Sequence, residues 1–453
     1  MAHIHFIGIG GTGLSAIARV LHESGQTVSG SDRALSPLAA TLRADGVTVY
    51  EGHAPANVQG ATVVVRSSAI PDTNVEVQAA RALGIPVLKR SDFLGELMDG
   101  RVGIAIAGSH GKTTTTSMIA WMLTALGLDP TFISGGVLTN LGTNARAGKG
   151  APFVIEADEY DRMFLGLRPK IAIVTNVEHD HPDCFPTLAD FVQAFREFVG
   201  KLPPDGTLIA CVDDPQAAAL LQALKQPGPH GIAYGLTESA LVRGGNLVSH
   251  PGAGFQFDLH LHNQFQTTVT LQVPGQHNVL NALAALSVAH VLGLPLPAAA
   301  HALGEFCGVG RRFDVRGEVN GVLVIDDYAH NPAKIRAALA AARARYPDRP
   351  LWAVWQPHTY SRTQTLAAEF ATVFGDADHV LVTDVYAARE TAPDGFSLQP
   401  LLDTIPHPDV HHLSKLEDVS HYLSAHLRPG DVLLVMSAGD ADQISETILE
   451  HHA

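Results

Sequence analysis

Residues 102–117 read VGIAIAGSHGKTTTTS, and the fold turns on them. Val102 to Ala107 form an uncharged, strand-length run, Gly108 and Gly111 break it, and KTTTTSMIAWMLTALG follows with the length of a helix. A strand that passes through a glycine-containing turn into a helix points backbone N–H groups and the positive helix end at an anion. Lys112 adds a cation for β and γ phosphates, and Thr113 adds a hydroxyl for Mg²⁺. A full-length phosphate loop would carry glycine at 106, where this chain has Ile106, so the match is to the shortened GxxGK[ST] form. Gly108, Ser109, His110, Gly111, Lys112, Thr113 and Thr114 are the expected ATP contacts.

Upstream, residues 1–98 alternate strand and helix: HIHFIGI, LSAIARVLHESG, TVSGSD, SPLAATLRADG, VTVYEG, ATVVVRSS and NVEVQAARALG. That alternation predicts a doubly wound parallel α/β sheet. Its first turn, GIGGTG, places Gly8, Gly10, Gly11 and Gly13 where a pyrophosphate could rest on a helix N-terminus, or where packing alone needs glycine. Asp32 closes the second strand and could accept from a ribose or a base. The pattern by itself suggests a dinucleotide, but a second phosphate loop in the next unit has no use in a nicotinamide oxidoreductase. A nucleotide-gated binding protein is the other class to weigh, and it would not need metal ligands.

Downstream, EADEYD puts Glu156, Asp158, Glu159 and Asp161 at the end of strand PFVI, and KIAIVTN leads into NVEHDHPD. Strand ends of a parallel sheet are where ligands bind. Carboxylates with a histidine there make a divalent-metal site beside the nucleotide, although Glu178 and Asp180 read equally well as solvated charges. Glu156, facing the phosphate loop, is hard to explain without a ligand. Between about 233 and 273 the period changes to alternation, which predicts a small antiparallel insertion. After GVGRR a third unit begins, with Asn331 and Pro332 as N-cap and first-turn proline of helix PAKIRAALAAARARY.

The length of 453 residues fits about three domains. With 30 basic and 45 acidic side chains the net charge is −15, which repels a nucleic-acid backbone and requires any polyanion to be held by local devices. No apolar run approaches the roughly 18 residues of a membrane span and no signal-type N-terminus is present, so a cytoplasmic protein without nucleic-acid or membrane partners is expected. Cys184, Cys211 and Cys307 have no disulfide or zinc spacing. Most of the 24 histidines, including those of HPDVHH, read as solvated loop residues.

Twelve segments together resemble the ATP-dependent Mur ligases of peptidoglycan synthesis, over nearly the whole chain. They are IHFIGIGGTGLSAIA, SGSD, VVVRSSAI, GSHGKTTTT, EADEYDRMFL, TNVEHDHPD, PGQHNVLNALAA, GVGRRFDVRGE, DDYAHNP, QPHTYSRT, TDVYAARE and SAGD. The resemblance implies three domains. A Rossmann-like domain (1–98) binds a UDP-sugar, a P-loop ATPase domain (99–310) binds ATP, and a Rossmann-like domain (311–453) closes over ATP and takes the amino acid. It implies UDP contacts from Gly8, Gly10, Gly11, Gly13, Asp32, Ser67 and Ser68, and metal ligation by Thr113, Glu156 and His181 with Mg²⁺, Mn²⁺ being able to substitute. It implies nucleotide contacts from His277, Asn278, Asn281 and Arg312, with Asp327 approaching ATP. His330, His358, Tyr360 and Arg362 would line the sugar and amino-acid side, and Lys112, Glu156, His181, Arg312 and Asp327 would carry catalysis. The implied reaction joins L-alanine to the lactyl carboxylate of UDP-N-acetylmuramate through an acyl phosphate, by a monomer or homodimer. The alternative is a recycling ligase that attaches a preformed L-Ala-γ-D-Glu-diamino acid tripeptide.

Overall fold

The computed structural model describes residues 2–181, 184–250, 254–388 and 390–451. The chain divides into two compact units, one of Met1–Gly245, Asp258–Thr268 and Leu280–Leu303, the other of Asn246–Phe257, Val269–Val279 and Gly304–Ala453. Among the described residues no helix is long and apolar enough to cross a membrane.

In the first unit β1 (His3–Ile7), β2 (Thr27–Asp32), β3 (Thr48–Glu51), β4 (Val63–Arg66) and β5 (Val87–Lys89) form one sheet of order β3-β2-β1-β4-β5. Every pairing in it is parallel. The chain reverses its direction of winding between β1 and β4, so the crevice beyond their carboxyl ends falls at the GIGGTG turn. Ile4 and Phe6 pack one face of β1, while His5 on the other face is buried among polar groups.

The second sheet comprises β6 (Val102–Ala107), β7 (Thr131–Leu138), β8 (Thr143–Arg146), β9 (Pro152–Glu156), β10 (Ile171–Val174), β11 (Thr207–Cys211), β12 (His230–Gly235), β13 (Val242–Ser249), β14 (Phe255–Leu261) and β15 (Gln264–Thr270). Its order is β15-β14-β13-β12-β11-β10-β6-β9-β7-β8. Central β6 and β10 are buried on both faces, which is why they read as continuous apolar runs without alternation. β6 is flanked in parallel by β9 and β10, with Ile106 opposite Glu156 and Ala107 opposite Val174. That register brings EADEYD and TNVEH to either side of the phosphate loop. The helix Leu188–Val199, started by a Thr187/Asp190 capping box, turns Phe191, Phe195 and Phe198 into a cluster with Phe164 and Phe185 that supports the loop after Glu156.

β13 joins β12 in parallel, Tyr234 opposite Val242, while β14 and β15, joined through His262 and Asn263, form the expected antiparallel hairpin, the Leu271 N–H donating to the Phe255 carbonyl at 2.7 Å. These strands extend the edge of the same sheet.

In the second unit β16 (Asp314–Val319), β17 (Val322–Asp327), β18 (Leu351–Trp355), β19 (His379–Val382), β20 (Val410–His412) and β21 (Val432–Met436) form a sheet of order β16-β17-β21-β18-β19-β20. Only the β16–β17 pair is antiparallel. The helix Pro332–Arg345 starts as its sequence predicts, Asn331 accepting from the Lys334 N–H at 3.0 Å. Of HPDVHH, Val410–His412 form the edge strand β20, where the His411 side chain is still 41% exposed. Asp409 binds both His411 and, on β19, His379, which stacks on Trp352 at 3.9 Å.

Candidate active site

The phosphate loop is held by side chains of β10's exit. Ser109 Oγ donates to the Glu178 carbonyl at 2.7 Å and accepts the Glu178 N–H at 2.8 Å. The His110 N–H donates to Asn176 Oδ1 at 2.8 Å, and Thr175 Oγ1 donates to the His110 carbonyl at 2.6 Å. His110 Nε2 reaches Glu178 Oε2 at 3.0 Å, so Glu178, a solvent-exposed charge as expected, is also a partner of the loop. Gly108 has φ +140° and Gly111 φ +80°, and a Cβ on Gly111 would lie 2.6 Å from Asn281 Oδ1. Asn281 also accepts from Thr115 Oγ1 at 3.1 Å, so it forms the wall of the loop. Thr114 is half-buried in the first helical turn.

Lys112 Nζ donates to the Gly108 carbonyl at 2.6 Å and to Glu159 at 2.8 Å. Burial works against charge on Lys112, but Glu159, Asp158 and Glu156 outweigh it and hold the amine above its ordinary value. Burial likewise works against ionised Glu159, and Lys112 and His181 overcome it to hold the carboxyl low. Both partners therefore stay charged in a site where Glu159 is 1% exposed. The role of Glu159 as Lys112's counter-charge was missed in the sequence, although the strand-end position of EADEYD pointed at it.

Thr113 Oγ1 donates to Glu156 Oε1 at 3.2 Å, while Glu156 Oε2 accepts the Gly135 N–H at 2.8 Å. Gly135 leaves room for this: its Cβ would stand 2.6 Å from Glu156 Oε2. His181 lies at φ +56°, uncommon for a non-glycine residue, with Nε2 3.7 Å from Glu159 and its ring against Tyr160. Among the described residues no three His, Cys, Asp or Glu side chains form a ready cage. A threonine hydroxyl beside one carboxylate fits Mg²⁺, which takes one or two carboxylates and completes its shell with phosphates and water. Pro182 and Asp183 of NVEHDHPD lie outside the described residues, as does Arg389 of TDVYAARE.

At the first turn, Gly8 and Ile9 N–H groups donate to the Ser31 carbonyl, and Gly11 N–H donates to the Gly8 carbonyl. Asp32 Oδ2 accepts the Gly10 N–H at 2.8 Å and Oδ1 accepts the Arg33 N–H at 2.8 Å, so Asp32 braces the turn. Ser36 Oγ donates to the Gly10 carbonyl at 3.0 Å. Ser67 stands beside Gly8, and Ser68 is exposed. The helix Thr12–Glu23 that follows has no side-chain cap and no acid in its first turn. Arg90, just beyond β5, lays its guanidinium across Gly13 and binds Met163 and, at 3.5 Å, Asp158. Below the turn Glu76 is fully buried, accepting from Ser31, His5, Asn57 Nδ2 at 2.6 Å and Ala54 N–H at 3.1 Å. Burial alone would raise its pKa, but these donors, His5 foremost, bring it down to about 2. Neither Arg90 nor Glu76 was singled out from the sequence.

The second unit carries the remaining expected residues. His277 is exposed at the head of its helix, and Asn278 Nδ2 donates to the Pro274 carbonyl at 2.6 Å. The Arg312 guanidinium sits 4.9 Å over the Tyr328 ring, and Asp327 Oδ2 accepts the Phe313 N–H at 2.8 Å. Burial raises Asp327 above its ordinary pKa, with Arg312 opposing. His330, His358 and Arg362 converge: the two rings are 5.7 Å apart and Arg362 Nη1 meets His358 Nδ1 at 3.2 Å. Burial first, then Arg362, lowers His358 to about 4, so it is neutral at physiological pH. Tyr360 leaves this group and packs edge-on against Phe396 at 4.8 Å.

Three family models match successive stretches: the Mur ligase family catalytic domain over residues 3–102, the Mur ligase middle domain over 106–289, and the Mur ligase glutamate ligase domain over 311–439. The chain is 43% identical to the UDP-N-acetylmuramate–L-alanine ligase of Roseiflexus sp. (strain RS-1), over 99% of this chain and 98% of that one. The chain belongs to the Mur ligase family. The ligase of the same name from Geobacter sp. (strain M21) is also 43% identical, over 98% of this Mur ligase and 96% of the relative. Among solved structures, the UDP-N-acetylmuramate-alanine ligase MurC of Thermotoga maritima superposes with a TM-score of 0.83 at 28% identity, covering 100% and 99% of the two chains. The murein peptide ligase Mpl of Psychrobacter arcticus 273-4 gives 0.71 at 30% identity, covering 99% and 98%. This Mur ligase thus has the three-domain α/β architecture of its family.

Proposed function

We propose that this chain is an ATP-dependent amide-forming ligase that joins L-alanine to the lactyl carboxylate of UDP-N-acetylmuramate. The reading rests on full-length likeness at 43% identity to relatives named for that reaction. Residues 1–98 hold the UDP-sugar on the first glycine turn, residues 99–310 hold ATP, and residues 311–453 supply the amino-acid side. The lactyl carboxylate attacks the γ-phosphate and releases ADP, and the alanine amine then displaces phosphate from the acyl phosphate. Two polyanions must meet on a chain of net charge −15, so local charge decides the barrier.

Lys112 neutralises the phosphates, and Glu159 keeps that amine charged and placed. Thr113 and Glu156 would hold Mg²⁺ with His181 as a further ligand, and the ion, when bound, supplies positive charge to the phosphate oxygens. Asn281 keeps the loop wall, His277 and Asn278 receive the adenine nucleotide, and Arg312 and Asp327 approach ATP. His330, neutral His358 and Arg362 take the sugar and the alanine carboxylate, for which a guanidinium is suited by bidentate geometry. The deciding experiment offers L-alanine and the L-alanyl-γ-D-glutamyl-diamino acid tripeptide together with ATP and the UDP-sugar, and weighs the product. The alanine adduct is expected; a product carrying only the tripeptide would make this chain the recycling ligase.

A further inference from the structure

The first glycine turn contains no cation of its own, yet one has been brought to it. Arg90 follows β5, and its Nη1 lies where a side chain at position 13 would stand, 1.7 Å from the Cβ that Gly13 lacks. A side chain at 13 would therefore have to push the guanidinium out of this place. The guanidinium is fixed from behind, by Met163 at Nε and by Asp158 at 3.5 Å from Nη2. Asp158 is 40% exposed and at the limit of hydrogen-bond range, so it anchors the group without saturating it.

Positive charge gathers at this position. The helix Thr12–Glu23 starts at Gly11 without a side-chain cap or an acidic residue, so its first-turn N–H groups and dipole already present positive charge. The N–H groups of Gly8, Gly10 and Gly11 are consumed inside the turn, so the orphan donors are those that open the helix, and Arg90 lies beside one of its first residues, Gly13. A planar guanidinium next to a helix start suits a ligand with several anionic oxygens.

We propose that Arg90 is the cation that receives the diphosphate of the UDP-sugar, a role that rests on the reading of this turn as the UDP-sugar site. Because Arg90 also touches Asp158 and Met163 of the loop after β9, the same side chain ties an occupied first turn to the loop that holds Glu159.

The test is titration of the full-length protein with uridine, UMP, UDP and UDP-N-acetylmuramate, for wild type, Arg90→Ala, Arg90→Lys, Gly13→Ala and the double variant Gly13→Ala/Arg90→Ala. Arg90→Ala should weaken UDP and the UDP-sugar roughly 10- to 100-fold, as loss of a hydrogen bond to a charged group does, and leave uridine unchanged. Arg90→Lys should recover part of the loss. Gly13→Ala should weaken UDP by pushing the guanidinium aside, and should add little once Arg90 is already alanine. If Arg90 is only a structural tie, Arg90→Ala will weaken uridine and UDP by the same factor, and the proposal fails while the UDP-site reading stands. If wild type binds neither UDP nor the UDP-sugar, both fall. Melting temperatures identify any variant that has lost its fold, in which case Arg90→Lys against Gly13→Ala decides: equal UDP affinity to wild type in both overturns the proposal.

Discussion

The two strand-to-helix turns, GIGGTG at 8–13 and GSHGKT at 108–113, solve one problem by different means. Both place glycine at positive φ, Gly8 at +87° and Gly111 at +80°, to turn a strand end into a helix start. The second carries its cation within the motif and receives its bracing from Thr175, Asn176 and Glu178 on a neighbouring strand's exit. The first spends its own N–H groups on closing itself, takes Asp32 and Ser36 as braces, and receives its cation from Arg90, 77 residues beyond Gly13. A phosphate motif is chemically explicit only when the charge lies inside it, which is why GSHGKT names its ligand and GIGGTG does not.

The largest expected effect is at the explicit turn. Lys112→Ala should cut ADP formation by roughly 10² to 10³, as removal of one preorganised charge-stabilising group does. It also strands the buried Glu159 carboxylate, so stability should fall by about 3 kcal/mol or more. Lys112→Ala/Glu159→Gln should regain melting temperature without regaining activity. A single variant that keeps wild-type turnover would remove the contrast between the turns.

Beneath the first turn, Glu76 should matter to stability more than to chemistry. Its folded-state pKa of about 2 is below the ordinary 4.5, so its contribution, on the order of 3 kcal/mol, is fully present above pH 4.5 and is lost as pH falls toward 2. Glu76→Gln should lower the urea midpoint at pH 7 and flatten its fall between pH 4.5 and 3. An unchanged pH profile would show that the network does not hold the carboxylate ionised. The smallest effect belongs to Ser36, which caps the helix Pro37–Ala44 and binds the Gly10 carbonyl. Ser36→Ala should cost about 1 kcal/mol and raise KM for the UDP-sugar only, leaving KM for ATP as it was.

The fold was legible where local pattern and register coincide. Apolar β6, its glycine turn and its helix are contiguous, and Glu156 follows from the same parallel-sheet logic because β9 pairs beside β6. Asn281 touches Gly111 across 170 residues and could be named only through family resemblance. Arg90 left one usable signal, a basic residue at the carboxyl end of the last strand of a parallel sheet, an edge where ligands gather. Glu76 left none, since a glutamate at a helix start ordinarily serves the helix dipole. The ties made by HPDVHH were not legible, because its Asp409 is recognisable as a partner of His379 only once β19 and β20 lie side by side.

The stitching of Ser109 and His110 to Thr175, Asn176 and Glu178 means that the chain around the phosphate loop has already given up its conformational entropy on folding. A nucleotide arriving there meets a finished mould and has no segment to freeze, so its affinity is spared the ordering cost that flexible glycine loops exact at the moment of binding. Heat released on ATP binding should then report contacts made to phosphate, with little opposing entropy from the loop itself.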